Sequence, residues 1–366
     1  MLEVSKLFCH SFQTDMARLS DIASMTGVNI STVSKALRGK DDINPQTRRR
    51  IVEAAKKLKY SSNRAAGAAR AGICGTIGVI CPEIRSGYYA RIVTALESFL
   101  RHRGFGMLLG FTGFMHQREV ALLDQFRQKS VSGIICVTEH DKIEYDLRDF
   151  RRVYDTPVVV VATVIAIEDF DYVKVNDALG VRMAVAHLHD LGHSLVGFVG
   201  DTVSRQRRDA FADAVEQLGM PVREDYFRMG SERFEVGGYL RMKELLRQRI
   251  PPTAVLAAYD DVAIGAMRAI SEAGLSVPGD ISVVGIDGIE VGAYLAPSLT
   301  SVTCDTAEMA ETAARILLKK AGDRGVTLVQ HVELNPELVI RESTAAPRPA
   351  GGALLRHVAK KKKSRR

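Results

Sequence analysis

The sequence contains no apolar run long enough to cross a bilayer. Its longest, 158–167, holds ten residues including Thr163 and follows Pro157, so it reads as a buried strand. The opening residues, MLEVSKLFCHSFQTD, lack the basic start, apolar core and small-residue cleavage site of a secretory signal, and the expected location is the cytoplasm. Cysteine is sparse. Cys9, Cys74, Cys81, Cys136 and Cys304 are odd in number and never spaced Cys-x-x-Cys, which argues against a disulfide framework or a zinc site and for reduced, mostly buried thiols. No Gly-x-Ser-x-Gly elbow, P-loop or Gly-x-Gly-x-x-Gly follows a strand-like segment, so an enzyme is not indicated and no cofactor is expected.

The 366 residues are 46% hydrophobic and 25% charged, a composition that excludes wholesale disorder and suggests two or three domains. The formal charge of +7 is a cancellation between segments. Residues 1–72 carry a net +7, residues 73–347 a net −8 and residues 348–366 a net +8. A basic head is the natural candidate for contact with a polyanion, and the acidic body is not.

From Leu19 the head fits three short helices. The first turns Leu19, Ile22 and Ala23 inward and ends at Gly27, where a left-handed backbone is easiest for glycine. Asn29 can cap the second helix, whose Val33, Ala36 and Leu37 recur at the spacing of a buried face. Asn44 caps a third, with Pro45 in its first turn and Ile51, Ala54, Ala55 and Leu58 buried. Two helices joined by a tight glycine turn, with a third in support, make a helix-turn-helix. Its second helix addresses base edges in the major groove, here with Ile30, Ser31, Ser34 and Lys35. Lys35 can donate to guanine acceptors and Ile30 can touch a thymine methyl. Arg48, Arg49 and Arg50, with Lys56, Lys57 and Lys59, are the expected phosphate contacts.

The stretch DIASMTGVNISTVSKALRG resembles the DNA-binding head of the lactose-repressor (LacI/GalR) family, and LVIREST near the other end extends the resemblance over roughly residues 17–347. The resemblance implies a helix-turn-helix head over 16–62, a hinge over 63–75 and a two-lobed, doubly wound sensor over 76–347. It also implies that Asn63 caps a hinge helix that forms on the operator. Where the family usually has a leucine wedge for the minor groove stands Ala69, too short to pry bases apart, so weak kinking is expected, with Arg70 supplying minor-groove charge. A merely flexible linker is the other reading of this segment.

Beyond Thr76, strand-like and helix-like segments alternate as a parallel α/β sheet requires. TIGVIC, MLLGF, GIICV and VVVVAT form one set of strands. A second set is expected from Tyr172 on, with YVKVN, LVGFVG, VLAAY, ISVVGID and TSVTC, and lobe crossings near Thr163, Ile289 and Ala321. Ligands of such folds sit beyond the carboxyl ends of the strands, in the cleft between lobes. By its spacing to Phe211, Arg207 matches the family's effector-binding arginine, and Asp287 matches its second polar contact. Asp260 is either a further contact or only a helix cap. Pro82, Tyr88 and Phe111 are further wall candidates. Ala162 and Tyr259 replace small polar residues common in the family, which favours a ligand with a flatter or less hydroxylated face.

His187, His189 and His193 in HLHDLGH invite a metal reading, but the first two face different sides of a helix and Gly192 ends it before the third. No metal is expected. The region before Met16 shows no periodicity and reads as a non-native or disordered extension, with translation expected from Met16. Residues 348–366 read as a disordered basic tail that either binds DNA non-specifically or only solubilises. The expected partners are double-stranded operator DNA, a small effector (sugar, sugar acid or nucleoside-like) and a second copy of the chain, with no membrane. The expected function is a ligand-responsive repressor on a pseudo-palindromic operator. The alternatives are an activator, a co-repressor-dependent regulator and a DNA-architectural protein with a vestigial pocket.

Overall fold

The computed structural model describes residues 19–37, 43–58, 75–138, 143–154, 156–162, 168–322 and 328–348. The expectations for 1–15, the hinge residues Asn63, Ala69 and Arg70, Cys9, Cys74 and all of the tail beyond Arg348 lie outside them. The chain divides into two compact units, 1–75 and 76–366.

The first unit holds helices α1 (Leu19–Thr26), α2 (Ile30–Leu37) and α3 (Pro45–Lys57). Gly27 closes α1 with a φ of 68° and donates to the Ala23 carbonyl at 2.9 Å. The Asn44 side chain accepts from the Gln46 amide at 2.8 Å, satisfying one orphan donor where Pro45 has none to offer. Ile22, Val33, Ala36, Ile51, Ala54 and Ala55 form the small core that the spacing implied.

The second unit is two lobes, each a six-stranded sheet. Lobe 1 contains β1 (Thr76–Cys81), α4 (Gly87–His102), β2 (Gly106–Phe111), α5 (His116–Gln128), β3 (Gly133–Val137), α6 (Ile143–Tyr154), β4 (Val158–Ala162) and β5 (Asp171–Val175). Lobe 2 contains α7 (Asp177–Asp190), β6 (Val196–Asp201), α8 (Arg205–Gln217), β7 (Phe227–Gly230), α9 (Phe234–Leu245), β8 (Ala254–Ala257), α10 (Asp260–Glu272), β9 (Ser282–Ile286) and β10 (Thr300–Thr303). The chain then returns to lobe 1 with α11 (Thr306–Gly322) and β11 (His331–Leu334), and ends in lobe 2 with β12 (Glu337–Val339). The sheet orders are β11-β5-β4-β3-β1-β2 and β12-β10-β9-β8-β6-β7. All pairings are parallel except β10 with β12.

The inner strands are continuous apolar runs because helices cover both faces of each sheet. In β4, Val159 and Val161 join the core under α4 and α11, while Val158, Val160 and Ala162 join the core under α5 and α6. That alternation is the two-residue period of a strand.

The crossings differ from the expected ones near Thr163, Ile289 and Ala321. β5 pairs with β4 on one side and β11 on the other, Tyr172 standing opposite both Val160 and His331. YVKVN therefore closes the first set of strands instead of opening the second, and the crossings fall after Val175, after Thr303 and between Leu334 and Glu337. An apolar strand pattern reports burial but not which neighbour buries it. Here the outer neighbour is supplied by a strand about 160 residues away, as the pairing of Tyr172 with His331 shows.

Two of the three histidines of HLHDLGH, His187 and His193, bind the C-terminal segment to lobe 2. His193 is buried, with its ring nitrogens on Thr253 Oγ1 at 2.9 Å, Ser282 Oγ at 3.1 Å and the Ala345 carbonyl at 2.9 Å. His187 meets Thr344 Oγ1 at 3.0 Å. Arg348, expected to be part of the loose tail, is instead paired to Asp280 at 3.1 Å.

Candidate functional site

The connections leaving β1, β6, β7, β8 and β9 converge on one cleft that opens to solvent. This is the carboxyl-end position that the fold reserves for ligands. Lobe 1 contributes Ser86, Tyr88 and Tyr89, while lobe 2 contributes Asp201, Val203, Ser204, Gln206, Arg207, Arg233, Phe234, Tyr259 and Asp287.

Arg207 lies in the first turn of α8 and points back across the strand ends. Its Nε donates to Asp177 Oδ2 at 2.8 Å and its Nη2 to Asp177 Oδ1 at 3.2 Å. Its Nη1 donates to the Ala258 carbonyl at 2.7 Å and to Asp287 Oδ1 at 3.2 Å. A planar guanidinium held on two edges cannot rotate away, which pre-organises its remaining surface for a ligand. Burial pushes the Asp287 carboxyl up to about 7, against the pull of Arg207. Asp287 also adopts a left-handed backbone with a φ of 103°, which is rare for a residue with a side chain.

A second ion pair lines the same cleft. Asp201 is fully buried, and Oδ1 accepts from the amides of Val203 at 3.0 Å and Ser204 at 3.1 Å. Its Oδ2 accepts from Arg233 Nε at 2.9 Å and from the Tyr259 hydroxyl. The Arg233 guanidinium then lies over the ring of Phe114 from lobe 1, 3.9 Å from its centroid. The same Tyr259 hydroxyl accepts the Phe234 amide at 3.2 Å, and burial raises the phenol above its ordinary range. Tyr259 is therefore a brace whose polar tip is already used and whose ring is offered to the cleft.

Of the residues singled out from sequence, Arg207, Asp287, Tyr259 and Tyr88 come together in this wall. Four others do not. Asp260 is buried beneath the cleft, where its carboxylate accepts from Ser301 Oγ at 2.6 Å and from the Ile289 amide at 2.7 Å. Burial pushes that carboxyl up to about 8, although Ser301 pulls the other way. Pro82 turns inward, its carbonyl accepting from the Gly113 amide at 2.8 Å. Phe111 lies at the outer edge of the lobe 1 sheet on β2, where it is exposed. Ala162 is sealed in the core between the lobe 1 sheet and α5 and α6. Residues missed from sequence include Asp177, Asp201, Arg233 and Phe234. Asp201 carries a readable signal, an acid ending a strand, whereas Arg233 and Phe234 sit at the entry to α9 with no motif around them.

In the head, Ile30, Ser31 and Lys35 are exposed on α2 and Ser34 is half-buried beside them. Arg48 is half-buried on α3. Arg50, expected on phosphate, donates through Nη2 to the Thr26 carbonyl at 3.0 Å. It caps the carboxyl end of α1, where the last carbonyls lack helical partners.

Residues 18–63 match the model of bacterial regulatory proteins of the lacI family, and residues 185–344 match a periplasmic binding protein-like domain. The HTH-type transcriptional repressor PurR of Yersinia pestis bv. Antiqua (strain Antiqua) is 30% identical over 337 residues, spanning 90% of this chain and 97% of the relative. This chain belongs to the lacI family. It is a DNA-binding transcriptional regulator with an effector-binding unit, and not an enzyme. The fold agrees with that of a lac repressor dimer bound to operator and the anti-inducer ONPF (TM-score 0.68, 26% identity, 90% of this chain and 100% of that one). It also agrees with a LacI family regulator from Enterococcus faecium with bound ribose (TM-score 0.66, 25% identity, 75% of this chain and 100% of that one).

Proposed function

We propose that the chain is a cytoplasmic repressor that binds a pseudo-palindromic operator as a homodimer and is switched by a neutral, ring-shaped effector in the inter-lobe cleft. The observation that carries this reading is Arg207, clamped by Asp177 and Asp287 on the cleft wall of a chain whose other unit is a helix-turn-helix. Ile30, Ser31, Ser34 and Lys35 read bases, Arg48 contacts phosphate, and Asn63, Ala69 and Arg70 belong to the hinge.

The charge balance favours a ligand without net charge. The two cleft arginines are already matched by Asp177 and Asp201, with Asp287 beside Arg207 as a further carboxyl, so no unmatched cation is left for an added anion. Tyr88, Tyr89, Phe234 and Tyr259 supply flat apolar walls, while Arg207 and Asp287 offer a donor and an acceptor side by side. A sugar ring or a nucleoside-like molecule suits this lining, and a sugar acid does not. Thermal unfolding against neutral sugars, their acids and nucleosides tests the reading. A neutral member should raise the midpoint, and Arg207→Ala should remove the shift. Stabilisation by acids alone would overturn the proposed ligand class.

A further inference from the structure

Beside the contacts of Arg233 with Phe114 and of Arg85 with Glu235, one arginine of lobe 1 grips the backbone of a cleft residue in lobe 2. Arg91, on α4 of lobe 1, reaches into lobe 2 and donates from Nη2 to the Asp287 carbonyl at 2.5 Å and from Nη1 to the Gly288 carbonyl at 2.6 Å. The two residues it grips are consecutive left-handed positions, with φ of 103° and 59°. They are fixed from within lobe 2 as well. The Asp287 amide donates to the Val302 carbonyl at 2.8 Å and the Gly288 amide to Ser301 Oγ at 3.1 Å. A β-carbon on Gly288 would collide with Thr303. One turn earlier, Gly87 at the start of α4 packs on Ile289, leaving 3.1 Å between the position of an added β-carbon and the Ile289 side chain.

Asp287 thus faces two ways: its carboxylate meets Arg207 in the cleft, and its carbonyl is held by lobe 1. The third donor of Arg91, Nε, is buried without a hydrogen-bond partner. A buried orphan donor and a left-handed aspartate are both costs that this arrangement of the lobes retains. Costs of this kind collect at ligand clamps and switch regions.

Resting on the effector reading of the cleft, we propose that Arg91 is the positioning residue that transmits the state of the Asp287 carboxylate to lobe 1. A ligand that draws Asp287 off Arg207 turns its left-handed backbone, moves the carbonyls of 287 and 288, and shifts α4 through the guanidinium. Arg91 touches no ligand itself.

The test does not need the effector to be known. In the full chain, Asp287→Asn removes the carboxylate charge, and amide hydrogen exchange reports on α4. In the parent background the substitution should change exchange in the first turns of α4 about fivefold or more, in the range of ordinary coupling between sites. With Arg91→Met the same substitution should leave α4 unchanged within twofold, and Arg91→Lys, which keeps one donor, should restore part of the response. An equal response of α4 with methionine at 91, or none in the parent, would overturn the proposal. If Arg91→Met fails to fold, the lysine variant decides, because a full response there contradicts a role for the paired donors. Ligand-induced thermal stabilisation is a separate readout, and its absence would overturn the effector reading without touching this coupling.

Discussion

Arg207 is the residue on which the cleft depends for stability as well as recognition. Its removal leaves Asp177 and Asp287 near one another, largely buried and unpaired. Arg207→Ala should therefore cost about 3–5 kcal/mol in chemical denaturation, and adding Asp287→Asn should recover part of the loss. Equal losses in the single and double variants would contradict this. Asp260 gives a pH test with a fixed sign. Burial raises its carboxyl from 3.8 to about 8, so the folded state holds the proton more tightly than the unfolded chain does. Its contribution is fully present below pH 3.8 and is lost as pH rises through about 8. Asp260→Asn, which mimics the protonated acid, should raise the thermal midpoint relative to the parent at pH 8.5 and not at pH 3.5. His193 acts in the opposite sense: burial lowers its value from 6.5, so its contribution is present above that pH and lost as pH falls below it. At this scale, Arg207 and Asp287 were legible because each lies just past a strand end and fits a known spacing. Arg233 was not, since only its packing on Phe114 and Asp201 distinguishes it from other surface arginines.

The helices that present the site are held by close backbone contacts. α9 and α10 meet at Gly238 and Gly265, where added β-carbons would run into the carbonyl oxygens of Val262 and Glu235. Gly265→Ala should destabilise the sensor by about 1–3 kcal/mol through overpacking and should displace Arg233 and Phe234 at the start of α9. Unchanged stability together with unchanged ligand response would contradict that packing. In the head, Lys35 and Arg50 should separate cleanly. Lys35→Ala should weaken operator binding about tenfold, whereas Arg50→Ala should lower the melting of the head, because its guanidinium caps α1. The caps, the glycine turn and the helical period made the three helices of the head readable, although Arg50 proved to be a cap. The strands β1–β6 and β8–β10 were readable as strands, but β7, β11 and β12 were not, and the outer partner of β5 was hidden because β11 comes from the far end of the chain.

At the scale of the whole molecule, charge and covalent economy point the same way. A basic head suits polyanionic DNA, and an acidic sensor keeps its cleft for small molecules. Among the described residues, no helix is long and apolar enough to cross a membrane. Composition exposed this division before any fold was known, yet it could not show that the cleft already neutralises its own cations. The central claim is that occupancy of the cleft alters DNA binding. It is tested most directly by operator affinity, read by fluorescence anisotropy on DNA selected from the genome, with and without a ligand that stabilises the protein in thermal unfolding. The ligand should change the dissociation constant of the parent chain by a factor of about 5–150, and Arg207→Ala should still bind the operator but no longer respond. An operator affinity that stays the same at saturating ligand in the parent chain would contradict the account.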